Sequence, residues 1–146
     1  IAYERTDQWE KAEIDLLESL DASPEDAYVI NYLAYSWIEK GINIQKSLVM
    51  LRKANRLRPN DGYIIDSLGW ALFKLKKYKE AKLYLELAVV KMASDPVITD
   101  HYGDSLWMVN KPLQARYYWS HVLKLEKTKI ELRKKIQQKL LFGLKS

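Results

Sequence analysis

The sequence predicts an all-α protein in which helix pairs stack in series as a right-handed superhelix, closed by a C-terminal capping helix. Two observations favour this fold class. The 146 residues include only five Gly and four Pro and have 48% hydrophobic content, a composition that favours helices joined by short turns. A pattern of large and small residues also returns about every 34 residues, and a fixed period in this range is typical of repeat architectures.

The repeat is clearest where a large apolar residue precedes a small one. Leu68-Gly69 recurs as Tyr102-Gly103 and, upstream, as Leu33-Ala34. A second segment follows each pair, with small and large residues at matching places: Ser47, Leu51 and Ala54; Ala81, Leu85 and Ala88; Ala115, Trp119 and Val122. Gly is costly inside a helix, so we interpret Gly69 and Gly103 as notches where the two helices of a pair approach closely, opposite Ala81 and Ala115.

This pattern resembles the tetratricopeptide repeat, a 34-residue helix-turn-helix unit with the signature W-x2-L-G-x2-Y, then A-x3-F, Ala and Pro. The resemblance implies a single domain: a partial repeat over 1–26, repeats over 27–61, 62–95 and 96–128, and a capping helix over 129–146. Ala93 and Lys127 stand where the family usually has Pro, and one extra residue lies in the turn near Gly41.

Local signals place the helices near 7–20, 25–39, 44–57, 62–75, 78–91, 96–109, 112–125 and 129–142. The first begins after residues 1–5, which match the end of an earlier helix and suggest that the array was cut there. Ser23 to Asp26, Asp95-Pro96 and Asn110 to Pro112 are typical helix starts, and Thr128-x-x-Glu131 fits a capping box. In the last helix, an apolar stripe of Leu132, Ile136 and Leu140 is expected to cover the third repeat, as the end of a solenoid requires.

Composition excludes several classes of function. The chain has no cysteine, which rules out disulfides and thiolate chemistry. No apolar run approaches the length of a membrane span. The net charge of +5 is concentrated in residues 124–146, which carry +6, whereas residues 1–123 carry −1. A nucleic-acid-binding body is therefore not indicated.

Catalysis has no recognisable motif in this sequence. The two histidines, His101 and His121, fall on different helices. Asp100-His101-x-x-Asp104 is the nearest approach to a metal or acid–base cluster, but solvated helix faces often produce such triplets. We therefore expect no enzymatic activity, no metal and no cofactor.

The resemblance implies a binding site instead, because in such arrays the first helices of successive repeats line a concave groove. The positions carried over to this face are Tyr28, Asn31, Tyr35 and Ile38; Tyr63, Asp66, Trp70, Phe73 and Lys74; and Val97, Asp100, Asp104, Trp107 and Met108. Their side chains predict an aromatic, acidic groove, and exposed Trp and Tyr are typical of interaction surfaces. The alternative is that some of these rings pack between neighbouring first helices.

The expected function is a protein–protein interaction scaffold that holds a partner peptide or helix. Because the groove positions include three aspartates and no arginine, we expect a partner with basic and apolar residues, and repulsion of an acidic tail. A basic clamp for a terminal carboxylate, known in part of this family, is not present at the matching places. Nucleic-acid and membrane partners are not expected, and the oligomeric state is open.

Two alternatives accompany this hypothesis. The basic C-terminal helix, with Lys129, Arg133, Lys134, Lys135 and Lys139 around its stripe, could bind RNA or an anionic membrane surface, although a solvated cap is the simpler interpretation. The chain also resembles C-terminal parts of longer bacterial repeat proteins, some of them envelope-associated adaptors for proteases or assembly complexes. A soluble bacterial protein of the envelope, periplasm or cytoplasm is the expected setting.

Overall fold

Eight helices connected by short turns form the chain in the computed structural model, which describes the backbone of residues 2–145 and the side chains of residues 8–145. They are α1 (Ala2–Ala22), α2 (Ala27–Lys40), α3 (Ile44–Leu57), α4 (Gly62–Lys74), α5 (Tyr78–Lys91), α6 (Pro96–Met108), α7 (Pro112–Lys124) and α8 (Ile130–Phe142). No strand occurs within residues 2–145. None of the helices in that range has the length and apolar content needed to cross a bilayer.

The helices pack as successive antiparallel pairs, α2 with α3, α4 with α5 and α6 with α7. Each pair also contacts the next through α3 with α4 and α5 with α6, and the first helices contact one another as α2 with α4 and α4 with α6. Helix α1 packs on α2, and α8 packs on α7. The all-α solenoid with a C-terminal capping helix is therefore confirmed.

Three equivalent aspartates start the three first helices. Asp26, Asp61 and Asp95 each have extended backbone, and each carboxylate accepts hydrogen bonds from the backbone N–H groups two and three residues later. Such a cap satisfies two of the four N–H groups that a helix start leaves unpaired. The sequence pattern identified Asp95; Asp61 was missed, and α2 begins at Ala27, two residues beyond the predicted residue 25.

The first helices also end alike. The N–H groups of Ile42, Lys77 and Lys111 reach back five residues to the carbonyls of Trp37, Leu72 and Leu106. The residue before each of these has a positive φ: Gly41 at 73°, Lys76 at 64° and Asn110 at 66°. This is the Schellman arrangement, in which a residue with left-handed backbone allows the N–H groups after a helix to bond to its last carbonyls. In the first repeat, Asn43 follows with a φ of 51°, so it is the extra turn residue that the repeat spacing predicted.

The glycines inside α4 and α6 do mark close helix approaches, although their neighbours differ from the predicted ones. A Cβ on Gly69 would lie 2.8 Å from Leu85 Cγ, and one on Gly103 would lie 2.5 Å from Trp119 Nε1. Both neighbours are fully buried in the second helix of the same pair. The notch therefore accommodates a large side chain one turn beyond Ala81 or Ala115.

Two local predictions were wrong. Helix α1 is continuous from Ala2 to Ala22, whereas the sequence pattern predicted a break near residue 6; no Gly or Pro is present there to interrupt it. The capping box at Thr128 does not form, because its hydroxyl donates to the carbonyl of Val122 and α8 starts at Ile130 without a side-chain cap.

Helix α8 covers the third repeat with its apolar stripe, as predicted. Ile136 is fully buried, with Leu132 and Leu140 packed against the same core. Arg133 fixes the preceding turn, since its guanidinium donates to the carbonyls of Leu123, Leu125 and Thr128.

Candidate functional site

The first helices of the three repeats line a face that contains two connected pockets. The first, which we call the tyrosine pocket, has a volume of about 450 Å³. Tyr32 and Tyr35 of α2, Tyr63 of α4 and Val97 of α6 supply its apolar wall. Its polar lining is Asn31, Ser36, Asp66, Ser67 and Asp95. The lining thus combines three tyrosines with two carboxylates and contains no lysine or arginine.

The second pocket, the lysine pocket, has a volume of about 650 Å³ and lies between α4, α6 and the C-terminal segment. One wall consists of Tyr35, Trp70, His101 and neighbouring residues of the first helices. The other consists of α8 and the turn before it, with Lys127, Lys129, Glu131, Leu132, Lys135 and Lys139. The capping helix therefore contributes to the face with the pockets as well as to the core.

His101 lies buried where α4 and α6 meet. Its Nδ1 is 2.9 Å from Asp66 Oδ1, and its ring stacks on Trp70 with a centroid distance of 3.8 Å. Burial would lower the pKa of His101, but the carboxylate of Asp66, followed by Asp100 and Asp104, raises it above its ordinary value. The imidazole Nδ1–H donates to the Asp66 carboxylate, and the raised pKa keeps the ring protonated to higher pH than a free histidine.

Lys139 of α8 fills the space between the other two aspartates. Its ammonium Nζ lies 2.8 Å from Asp100 Oδ1 and 2.9 Å from Asp104 Oδ1. Burial would lower the pKa of Lys139, but the two carboxylates raise it. Asp104 also accepts a 3.1 Å hydrogen bond from the buried indole of Trp119. In the triplet that looked closest to a metal or acid–base cluster, the two aspartates thus pair with Lys139 and His101 pairs with Asp66.

Burial, followed by the nearby carboxylate of Asp100, raises the pKa of Asp104 to about 6. Lys139 acts in the opposite direction but does not cancel this effect. One ammonium shared by two carboxylates leaves the cluster with excess negative charge, so Asp104 takes up a proton as pH falls through about 6.

The rim where the two pockets meet contains Glu39 and Tyr35. Glu39 accepts a 3.1 Å hydrogen bond from the indole nitrogen of Trp70. Burial, followed by the carboxylate of Glu39, raises the pKa of Tyr35. Its hydroxyl consequently remains protonated and available as a donor.

The structure brings most of the predicted groove residues together but changes their environment. Seven of the ten principal candidates line one pocket or both: Asn31, Tyr35, Tyr63, Asp66, Trp70, Asp100 and Asp104. Lys74 and Val97 line them as well. Trp70 and the three aspartates are nevertheless less than a tenth exposed. Trp70 packs between neighbouring first helices, as the alternative interpretation of the sequence predicted.

The remaining candidates lie outside both pockets. Tyr28 is exposed beneath the guanidinium of Arg58, and Phe73 stacks on Trp70 against the core. Trp107 stacks on Trp119 and lies against Gly143, beyond the end of α8. Two further positions also differ from expectation: Ile38 is buried in the core, and Met108 lies beside the turn before α5.

Several lining residues were not predicted as groove residues. Tyr32 and Ser36 lie one helical turn apart on α2, and Asp95 was recognised only as a cap. One face of α2 carries Tyr28, Tyr32 and Tyr35, because these residues are spaced by four and three positions. This spacing could have predicted Tyr32 as a groove residue. The lysines from the C-terminal segment carry no such signal, because their position depends on how α8 folds back.

Comparison with known proteins identifies relatives of similar architecture. No protein-family model matches the chain. The TPR repeat-containing protein PA4667 of Pseudomonas aeruginosa is 27% identical over 101 residues, covering 69% of this chain and 17% of that protein. The chain thus corresponds in length to a small part of this relative.

Solved structures share the fold at low sequence identity. The thermophilic TPR protein TTC0263 of Thermus thermophilus superposes with a TM-score of 0.74 at 16% identity, covering 90% of this chain and 72% of that one. The first TPR domain of RPAP3, solved with the HSP90 peptide SRMEEVD, gives a TM-score of 0.66 at 22% identity, covering 80% and 94%. A MamA structure gives 0.67 at 19%, covering 87% and 75%.

Proposed function

We propose that this chain, a tetratricopeptide repeat protein by its fold and repeat pattern, is an interaction scaffold that holds a segment of a partner protein in the tyrosine pocket. A scaffold role needs a concave surface with rigid contact area and a few polar groups that set register. The lining of the tyrosine pocket meets this requirement, and it is the observation on which the proposal depends.

The chemistry of the pocket favours a partner with an apolar anchor beside a basic residue. Tyr32 and Tyr63 are 63% and 51% exposed, which leaves their rings free to cover an apolar side chain, and rigid aromatic area often dominates binding energy. Asp66 is paired with His101, whereas Asp95 accepts hydrogen bonds from backbone N–H groups as a helix cap at the pocket edge. With no cation in the lining, the local field favours Lys or Arg on the partner.

Peptide binding by a domain of this fold has a precedent in the RPAP3 structure, which contains an HSP90 peptide. That precedent supports only the class of ligand. At this low sequence identity the comparison shows a shared fold and does not identify binding residues in this chain. The peptide there is acidic at its end, whereas the tyrosine pocket here is acidic itself. We therefore propose a different sequence preference for this chain.

An enzymatic role is not part of the proposal. His101, Asp100 and Asp104 already hydrogen-bond to Asp66 and Lys139, which occupies the groups that acid–base chemistry would use. A nucleic-acid role of the C-terminal helix is also weakened, because Lys139 and Arg133 are bound within the fold.

Selection from a displayed library of random 12-residue peptides tests the scaffold hypothesis. We expect enriched peptides to place an apolar residue next to Lys or Arg. A synthetic enriched peptide should bind Tyr32→Ala/Tyr63→Ala roughly tenfold or more weakly by fluorescence polarisation. Tyr117→Ala, an exposed tyrosine on α7 outside both pockets, provides the matched control. Wild-type affinity in the double variant would show that binding uses another surface.

A further inference from the structure

We propose that the lysine pocket binds an acidic stretch of the same partner segment, so that the groove accepts ligands with a fixed order of charge. This inference rests on the proposed function, because it concerns how a segment in the tyrosine pocket continues. It assigns a binding role to the C-terminal helix, which otherwise serves as a cap.

The two pockets form one path along the first helices. Tyr35, Asp95 and Val97 line both of them. A segment bound over Tyr32 and Tyr63 that continues toward α6 therefore enters the lysine pocket. The two volumes together suit several consecutive residues of an extended chain.

The cations on the α8 side are available to a ligand. Lys127, Lys129 and Lys135 are exposed, and none of them forms an ion pair with the side chains described for residues 8–145. Lys139 differs from these three, because Asp100 and Asp104 already neutralise it. Helix α8 thus uses one lysine for folding and presents neighbouring lysines at the pocket.

The aspartates whose presence in the sequence predicted repulsion of acidic segments do not oppose this arrangement. Asp66 is paired with His101, and Asp100 and Asp104 share Lys139. Exposed lysines at the α8 end and a tyrosine-pocket lining with carboxylates but no cation at the other end make the groove bipolar. Charge complementarity then places the basic part of a ligand near α2 and its acidic part near α8.

A peptide fits this pocket better than a nucleic-acid backbone does. Glu39, Asp95 and Glu131 line the pocket among the lysines, and they would repel a continuous row of phosphates. Separate carboxylates on a peptide can contact the lysines and avoid these three groups. The mixed lining therefore favours Asp or Glu side chains as the anionic partner.

The experiment compares selections on two proteins with one random 12-residue peptide library. The wild-type chain should enrich peptides that carry Asp or Glu on one side of the apolar anchor. Lys127→Glu/Lys129→Glu/Lys135→Glu should lose that preference, retain the apolar anchor, and bind a wild-type-selected acidic peptide about tenfold more weakly at low salt. Lys134→Glu, an exposed charge reversal on α8 outside the pocket, is the control.

The outcomes separate this inference from the proposed function. Apolar peptides without acidic enrichment, bound equally by the triple variant, would overturn the inference and leave the scaffold function standing. Failure to enrich apolar peptides on either protein would reject both. A triple variant that loses binding of a single-stranded RNA 12-mer while its peptide affinity is unchanged would replace the inference with an RNA site. Circular dichroism verifies that the variants remain helical.

Discussion

Asp104 combines three roles that a single surface carboxylate does not have. It accepts from the buried Trp119 indole, pairs with Lys139 and lies near a second carboxylate, Asp100. The indole bond fixes its side chain against the core, and the shared ammonium connects α6 to α8. Its protonation state therefore affects packing and groove charge together.

The titration of Asp104 should be measurable at its side-chain carbon by NMR, with a midpoint of about 6. Asp100→Asn should lower this pKa, because it removes the neighbouring negative charge that raises it. Lys139→Met should raise the pKa, because it removes the stabilising cation. Two shifts in the same direction, or an ordinary midpoint near 4 in the wild type, would contradict the described cluster.

These shifts also affect stability. The pKa values of Asp104 and His101 are raised in the folded state, so the folded chain holds more protons than the unfolded chain. The contribution of Asp104 to the free energy of unfolding is fully present below its unfolded-state pKa of about 4 and is lost as pH rises through about 6. That of His101 is full below about 6.5 and is lost as pH rises through its raised pKa.

The ends of the helices were the most predictable elements. Pro at 96 and 112 and the capping Asp95 are local signals, and seven helices begin and end within two residues of their predicted positions. The exception is α1, whose start lacks a breaking residue; in α8 the bounds agree but the predicted capping box does not form, because Thr128 bonds elsewhere. A hydroxyl that finds a tertiary acceptor is not visible in a sequence pattern.

The turn between α4 and α5 contains a residue that is poorly suited to its conformation. Lys76 adopts a φ of 64° at the position that Gly41 occupies in the first repeat. We expect Lys76→Gly to raise the free energy of unfolding by up to about 1 kcal/mol, because Gly adopts this conformation without a Cβ penalty. Urea denaturation followed by circular dichroism measures the change.

Lys77→Gly is the control for that substitution, since Lys77 has a φ of −90° and should gain no stability. Destabilisation by Lys76→Gly equal to that by Lys77→Gly would show that unfolded-state entropy exceeds the relief of backbone strain at this turn.

The stability of the whole molecule should be uneven along the array. Among residues 8–22 of α1 no side chain is buried, and α1 contacts α2 through bonds such as Trp37 Nε1 to Glu13 Oε2 at 2.6 Å. In α4, by contrast, most residues are buried between two neighbouring pairs. Repeat arrays lose structure where neighbour contacts are fewest.

Native-state hydrogen exchange measures this difference. Amides in the second half of α1 should exchange more than about tenfold faster than those in the middle of α4. Glu13→Gln should accelerate exchange in α1 further and leave α4 unchanged, because it weakens the bond to Trp37. Uniform exchange across both helices would indicate that the array opens as one cooperative unit.

The sequence placed the candidate residues on the first helices but did not predict their electrostatic pairing. Repeat spacing assigns Tyr35, Tyr63 and Asp66 to the first helices, and this spacing follows from local sequence. The pairing of Asp66 with His101 and of Asp104 with Lys139 spans 35 residues in each case. Such pairs depend on how the solenoid curves and how α8 returns, which a single sequence does not encode locally.

The tryptophans are distributed along the stack in a way that suits optical measurement. Trp9 lies on α1, Trp37 in the first helix pair, Trp70 in the second, and Trp107 and Trp119 in the third. Indole emission depends on exposure to water. Variants that retain one tryptophan at a time would therefore report the unfolding of each part of the array through a shift in emission wavelength. The chain thus carries intrinsic fluorophores with which the order of its disassembly can be followed.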